Sequence, residues 1–204
     1  MNIWKSSGIT LGTLLVTSLS AACLAENEPD RSPVALGAAL DHGPIVQCVD
    51  LSEPQTGIKQ TLIDGVLVVR GTRGDDQIDC SAASHPVDLT AGRGDDIVTG
   101  SAFGDVITGG GGSDYLDGAG GADDISGGSG DDTILGGAGD DIELDGGGGD
   151  DFVFGGDGDD LLNGGPGKDG LYGEDDADVC NGGPGDDTFG AGCEVQNDSN
   201  NPQA

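Results

Sequence analysis

The chain has 204 residues, a formal net charge of −31 and only seven Lys or Arg. Phosphate recognition needs clustered positive charge, so this balance argues against nucleic acid and against an anionic membrane surface as partners. Glycine supplies 42 residues and aromatics 3%, too little bulk for an ordinary core of this length, so the chain is either disordered or completed by bound cations.

Residues 1–22, MNIWKSSGITLGTLLVTSLSAA, read as a secretory signal peptide. Lys5 gives a positive start, Ile9 to Leu19 a short apolar stretch, and Ser20, Ala21 and Ala22 a small-residue exit. The stretch is too short, and too interrupted by Thr and Ser, to serve as a stable membrane anchor. Leu19-Ser20-Ala21-Ala22-Cys23 resembles a bacterial lipobox, which implies lipidation of Cys23. Ser20 stands where that box usually has Leu, and cleavage after Ala25 is the rival reading. Residues 23–43, including ENEPDRSP, read as a tether.

Five cysteines are present: Cys23, Cys48, Cys80, Cys180 and Cys193. Either route of processing removes Cys23 from pairing, leaving an even number for an oxidising compartment. Three connectivities remain. Cys48–Cys80 with Cys180–Cys193 is favoured, since each bridge would staple one end of the repeat region; a buried thiol is the competing role for Cys180.

Residues 44–70 contain the strand-like runs PIVQCVDL, IKQTLID and GVLVVR, with turn signals at Pro54 and Asp64-Gly65. They are expected to cap one end of the repeat region. From 71 to 190 the chain repeats. GTRGDDQID at 71–79 is followed by an interruption at 80–90. Then come AGRGDDIVT, GSAFGDVIT, GGGGSDYLD, GAGGADDIS and GGSGDDTIL, a ten-residue unit GGAGDDIELD at 136–145, and GGGGDDFVF, GGDGDDLLN, GGPGKDGLY, GEDDADVCN and GGPGDDTFG. All twelve units carry Asp at position six: Asp76, Asp96, Asp105, Asp114, Asp123, Asp132, Asp141, Asp151, Asp160, Asp169, Asp178 and Asp187. Position eight is apolar in eleven: Ile78, Val98, Ile107, Leu116, Ile125, Ile134, Val153, Leu162, Leu171, Cys180 and Phe189. In the ten-residue unit Glu143 falls there by count, and Leu144 is expected to take the slot with one residue bulged out. A disordered acidic linker has no reason to hold Asp and an apolar residue two apart in eleven of twelve units. Residues 191–204 are expected to close the repeat and end in a frayed tail.

These units resemble the hemolysin-type calcium-binding repeat of RTX proteins, G-G-x-G-x-D-x-U-x with U a large apolar residue, over about residues 66–195. The resemblance implies an all-β fold: a parallel β-roll in which six residues turn, three form a strand, two units make one coil, and calcium (Ca2+) lies between stacked turns. The twelve position-six aspartates are then the expected metal ligands, at roughly eight to ten sites.

Elementary chemistry points the same way. Glycines at positions one, two and four permit positive φ and close backbone approach. Calcium takes about six to eight oxygens at roughly 2.3–2.6 Å, whereas magnesium keeps its waters and a stricter octahedron. Stacked carboxylates about 4.8 Å apart repel by roughly 3 kcal/mol at an effective dielectric near 20, so folding is expected to depend on the cation.

No catalytic constellation is visible. His42 and His85 have no paired nucleophile, Gly167-Lys168 is followed by Asp169 rather than Ser or Thr, and EF-hand spacing fails. The chain is therefore expected to be a binding protein rather than an enzyme, acting at the cell surface or outside the cell. An alternative role is adhesion through the rigidified roll. Outward positions seven and nine offer two apolar stripes for a partner: Leu135, Phe154 and Tyr172 on one face, and Val106, Ile142, Leu161 and Val179 on the other.

Overall fold

The computed structural model describes residues 45–47 and 57–198. The signal-like segment, Cys23, the tether, His42 and Cys48 lie outside the described residues. The strands in chain order are β1 (Ile45–Gln47), β2 (Lys59–Ile63), β3 (Val66–Arg70), β4 (Gln77–Asp79), β5 (Val87–Arg93) and β6 (Ile97–Thr99). Next come β7 (Val106–Gly111), β8 (Tyr115–Asp117), β9 (Asp124–Ser129), β10 (Thr133–Ala138), β11 (Glu143–Gly148) and β12 (Phe152–Asp157). The last are β13 (Leu161–Asn163), β14 (Gly170–Asp175), β15 (Asp178–Gly183), β16 (Thr188–Phe189) and β17 (Cys193–Asp198). Among the described residues there is no helix, and so none long and apolar enough to cross a membrane.

Successive strands alternate between two sheets, as a roll requires. One sheet runs β1-β4-β6-β8-β10-β12-β14-β16, the other β17-β15-β13-β11-β9-β7-β5-β3-β2. Pairing is parallel throughout except for the β2–β3 hairpin. Ile107 pairs with Ile125, eighteen residues on, so one coil is two nonamers. The expected all-β parallel roll is the fold observed.

Side chains alternate in and out at period two. Along β7, Val106 is exposed, Ile107 buried, Thr108 intermediate and Gly109 buried. The interior therefore receives positions six, eight and one of each unit: Asp, an apolar residue, and Gly. Position eight stacks as two essentially solvent-free columns, Ile78 to Leu171 in one sheet and Ile107 to Cys180 in the other, with Phe189 half-buried at the end of the first. Many strands of the repeat are six residues rather than the expected three, because positions one to three continue the ladder. Gly92, for example, pairs with Gly110 and Arg93 with Gly111.

The irregular units are absorbed in register. Leu144 pairs with Ile125 and with Leu162 and is fully buried, so it fills position eight as expected. Glu143 pairs with Asp124, which leaves Ile142 as the extra residue, 62% exposed. The apolar stripe expected through Ile142 is corrected here: the position-seven column on that face runs Val106, Asp124, Glu143, and two carboxylates break it. The stretch at 80–90 is not a gap either. Val87 and Leu89 are buried, and Leu89 pairs with Ile107 at one side and Val69 at the other.

The ends carry more apolar bulk. Leu67, Val69, Val87, Leu89 and Ala91 are buried in β3 and β5, against one apolar residue per strand farther along. Cys180 and Cys193 form a disulfide that ties β17 to β15. Cys80 is buried and disulfide-bonded, while Cys48, its expected partner, lies outside the described residues.

Candidate metal centre

The repeat places every position-six aspartate at a turn, immediately before a strand. Eleven of them, from Asp76 to Asp178, are buried, with exposures of 0–9%; Asp187, in the last turn, is half-buried. They form two columns, one on each edge of the roll. Within each column, from Asp96 and from Asp123 onward, Oδ1 accepts the backbone N–H of the position-six residue one coil earlier. Asp96 N–H donates to Asp114 at 2.8 Å, Asp114 to Asp132 at 2.8 Å and Asp151 to Asp169 at 2.9 Å. On the other edge Asp105 N–H donates to Asp123 at 2.7 Å and Asp123 to Asp141 at 2.9 Å.

The second oxygen has a different fate. In Asp96, Asp114, Asp123, Asp132, Asp141, Asp151, Asp160, Asp169 and Asp178, Oδ2 is buried without a hydrogen-bond partner. Buried acceptors are nearly always satisfied, and an unpaired one costs about 1–3 kcal/mol, more when charged. Nine such atoms in register are a repeated demand for a cation.

The glycines explain how oxygen reaches the same turns. A Cβ on Gly109 would run into Asp114 Oδ2 and the Gly127 carbonyl oxygen; Gly118 meets Asp123 and Gly136 in the same way. At position four, a Cβ on Gly130 would overlap the Gly112 carbonyl oxygen, and one on Gly149 the Gly130 carbonyl oxygen. Stacked turns thus face each other through carbonyl oxygens and one carboxylate, with no side-chain bulk between. Among the described residues no three His, Cys, Asp or Glu side chains converge on one point. That disagrees with a carboxylate cage but not with a turn that draws most of its donors from the backbone. A hard, oxygen-seeking cation of flexible coordination fits this donor set.

Charge is held here at a cost. Burial pushes Asp96, Asp123 and Asp132 up to about 7; backbone N–H donors pull them down and neighbouring carboxylates add to the rise. Asp141, Asp160 and Asp169 are pushed up to about 6 by the same balance. Asp105, Asp114, Asp151 and Asp178 are raised as well, burial again being the largest cause.

Two features were not read from the sequence. Position-five aspartates form a second, exposed ladder of opposite sense. Asp75, Asp95, Asp131 and Asp150 each accept the backbone N–H of the next coil's position-five residue: Asp95, Ser113, Asp150 and Lys168. The Asp-Asp doublet signals it. The second feature is that Asp76 and Asp105 differ from the other buried aspartates. Asp76 accepts from Thr72 N–H at 2.6 Å and from the Thr72 hydroxyl at 3.2 Å. Asp105 accepts from Ser101 N–H at 2.5 Å and the Ser101 hydroxyl at 2.8 Å. A hydroxyl residue at position two, where most units have Gly, is the visible signal.

A two-sheet parallel solenoid with aspartates stacked at successive turns has the architecture of a β-roll. The model of the RTX calcium-binding nonapeptide repeat matches the chain in four copies, at residues 90–125, 117–142, 143–171 and 162–189. Residues 90–189 are RTX calcium-binding repeats. No curated protein and no solved structure matches it.

Proposed function

We propose that this chain is an exported calcium-binding protein whose roll folds as calcium enters its turns. The observation that carries the reading is the series of nine buried, unsatisfied Oδ2 atoms. The position-six aspartates would hold the ions together with glycine carbonyl oxygens of the stacked turns, and bound calcium would supply the positive charge those oxygens lack. Because ligands from successive coils come together only in the roll, binding free energy is folding free energy. The signal-like residues 1–22 and the cysteine count support an oxidising location outside the cell, with Cys23 as a lipid anchor at a bacterial surface. Extracellular calcium suits modules with dissociation constants of about 10⁻⁴–10⁻³ M.

Far-UV circular dichroism of residues 26–204, titrated with calcium and separately with magnesium, tests this. A cooperative rise in β signal with calcium alone is expected. A spectrum unchanged by calcium would remove the reading.

Adhesion is the second reading, and one asymmetry favours it. The outer face of the β1-to-β16 sheet gathers Tyr115 and Phe152, both exposed, beside Phe154 and Tyr172, whose rings stack at 4.9 Å. Among the described residues the opposite outer face has no aromatic residue: Val106, Leu161 and Val179 are exposed there among Asp124, Glu143, Asn163 and Asn181. Stacked cross-strand rings also stabilise a thin sheet, so Phe154→Ser with Tyr172→Ser separates the two roles. Adhesion requires lost surface attachment at unchanged calcium midpoint; lost stability with attachment intact would leave the rings a packing role only.

A further inference from the structure

We propose that the turns of Asp76 and Asp105 take no calcium, because Thr72 and Ser101 occupy the ion's place, and that the first two coils stand without metal. The inference rests on the calcium reading and divides its turns into two kinds.

The division follows backbone conformation. In the nine turns with an unsatisfied Oδ2, the position-two residue has positive φ, including the non-glycines Ala119 (71°) and Glu174 (80°). Thr72 and Ser101 are not in that region. The consequence is where the position-two N–H points. In open turns it is directed away from the turn's own aspartate: Gly147 N–H donates to the Gly164 carbonyl at 3.1 Å, Glu174 N–H to the Ala191 carbonyl at 3.0 Å and Ala119 N–H to the Asp117 carboxylate at 3.0 Å. In the two closed turns it donates to Oδ2 of its own aspartate instead, and the hydroxyl donates to Oδ1. The Asp105 carboxylate then has three donors, since Val87 N–H also reaches Oδ1 at 2.7 Å. A carboxylate so provided has little left to offer a cation, and hydrogen bonds do the neutralising.

Nearby features agree. In the first two coils only the turn before Asp96 is open; the segment at 80–86 is no repeat at all. The same coils contain the denser apolar packing of β3 and β5 and the buried, disulfide-bonded Cys80. This end is a metal-free platform on which calcium orders the later coils.

Hydrogen exchange of the intact chain, read peptide by peptide with EDTA and then with calcium, tests the proposal alongside a calcium count by native mass spectrometry. Residues 66–108 are expected to stay protected in EDTA while 127–183 exchange freely until calcium is added. Thr72→Gly with Ser101→Gly should abolish the EDTA protection of 66–108 and restore it with calcium, which excludes simple misfolding. Asp123→Asn should lower the calcium count and Asp105→Asn should not. If 66–108 is as labile as 127–183 in EDTA, or if Asp105→Asn lowers the count as Asp123→Asn does, the proposal is overturned while the calcium reading stands. If calcium protects nothing over 127–183, the calcium reading falls and takes the proposal with it.

Discussion

Gly130→Ala lowers the melting temperature of the calcium-loaded chain by about 10 °C, while Gly148→Ala changes it by about a degree or less. The two glycines lie in neighbouring coils and differ in surroundings. Gly130 is at position four with φ of 120°, and a Cβ there would overlap the Gly112 carbonyl oxygen and crowd the carbonyl carbon behind it. Gly148 is at position three, outside the positive-φ set, with nothing within 4 Å of an added Cβ. An unfavourable φ costs about 1–3 kcal/mol, and the overlap with rigid backbone adds to it, for a sum of about 3 kcal/mol or more. The calcium midpoint should rise with Gly130→Ala, because the carbonyl that must give way is one of the oxygens facing the stacked turn. Equal melting temperatures for the two variants, by calorimetry in excess calcium, would mean that turns do not stack as closely as described.

That contrast also shows what a sequence of this kind discloses. The fold was legible because the pattern is redundant: eleven copies of Asp and an apolar residue two apart allow one solution in which both face inward. The ten-residue unit was legible for the same reason, since Leu144 must be inside if Ile125 and Leu162 are. What the repeat could not disclose is which residue leaves the column. Ile142 and Glu143 are both acceptable at an exposed position, and the strand register alone chose Ile142. The stretch at 80–90 was obscure because Val87 and Leu89 fill the interior by ordinary alternation, with none of the glycines that mark a turn. The difference between closed and open turns was hidden deeper. It depends on the sign of φ at position two, and Ala119 and Glu174 adopt the glycine-like conformation despite their Cβ atoms, so residue type is an incomplete guide.

Acid and calcium should be alternative ways to fold the same chain. In the unfolded chain the aspartates titrate near 3.8, while in the metal-free roll Asp96, Asp123 and Asp132 titrate near 7 and Asp141, Asp160 and Asp169 near 6. A raised carboxylate means that the folded state binds the proton more tightly. Its stabilising contribution is complete below about pH 4 and is lost as pH climbs through 6 and 7. The metal-free roll is therefore least stable at neutral pH, where calcium is needed most. In EDTA, β signal should grow as pH falls from 7.5 towards 5. With calcium the sign reverses, since the ion requires the ionised carboxylate: the midpoint for calcium should rise about tenfold or more between pH 7.5 and 5.5. Salt distinguishes the causes. If mutual repulsion among exposed aspartates opposed folding, about 1 M NaCl at pH 7.5 would shrink the Debye length to roughly 3 Å and fold the metal-free chain as acid does. Burial is the largest cause of every one of these shifts, and screening does not restore water to a buried carboxylate. Sodium chloride should accordingly leave residues 127–183 of the metal-free chain unfolded at pH 7.5; folding of that segment by salt alone would show that the aspartates are far more hydrated than their burial implies.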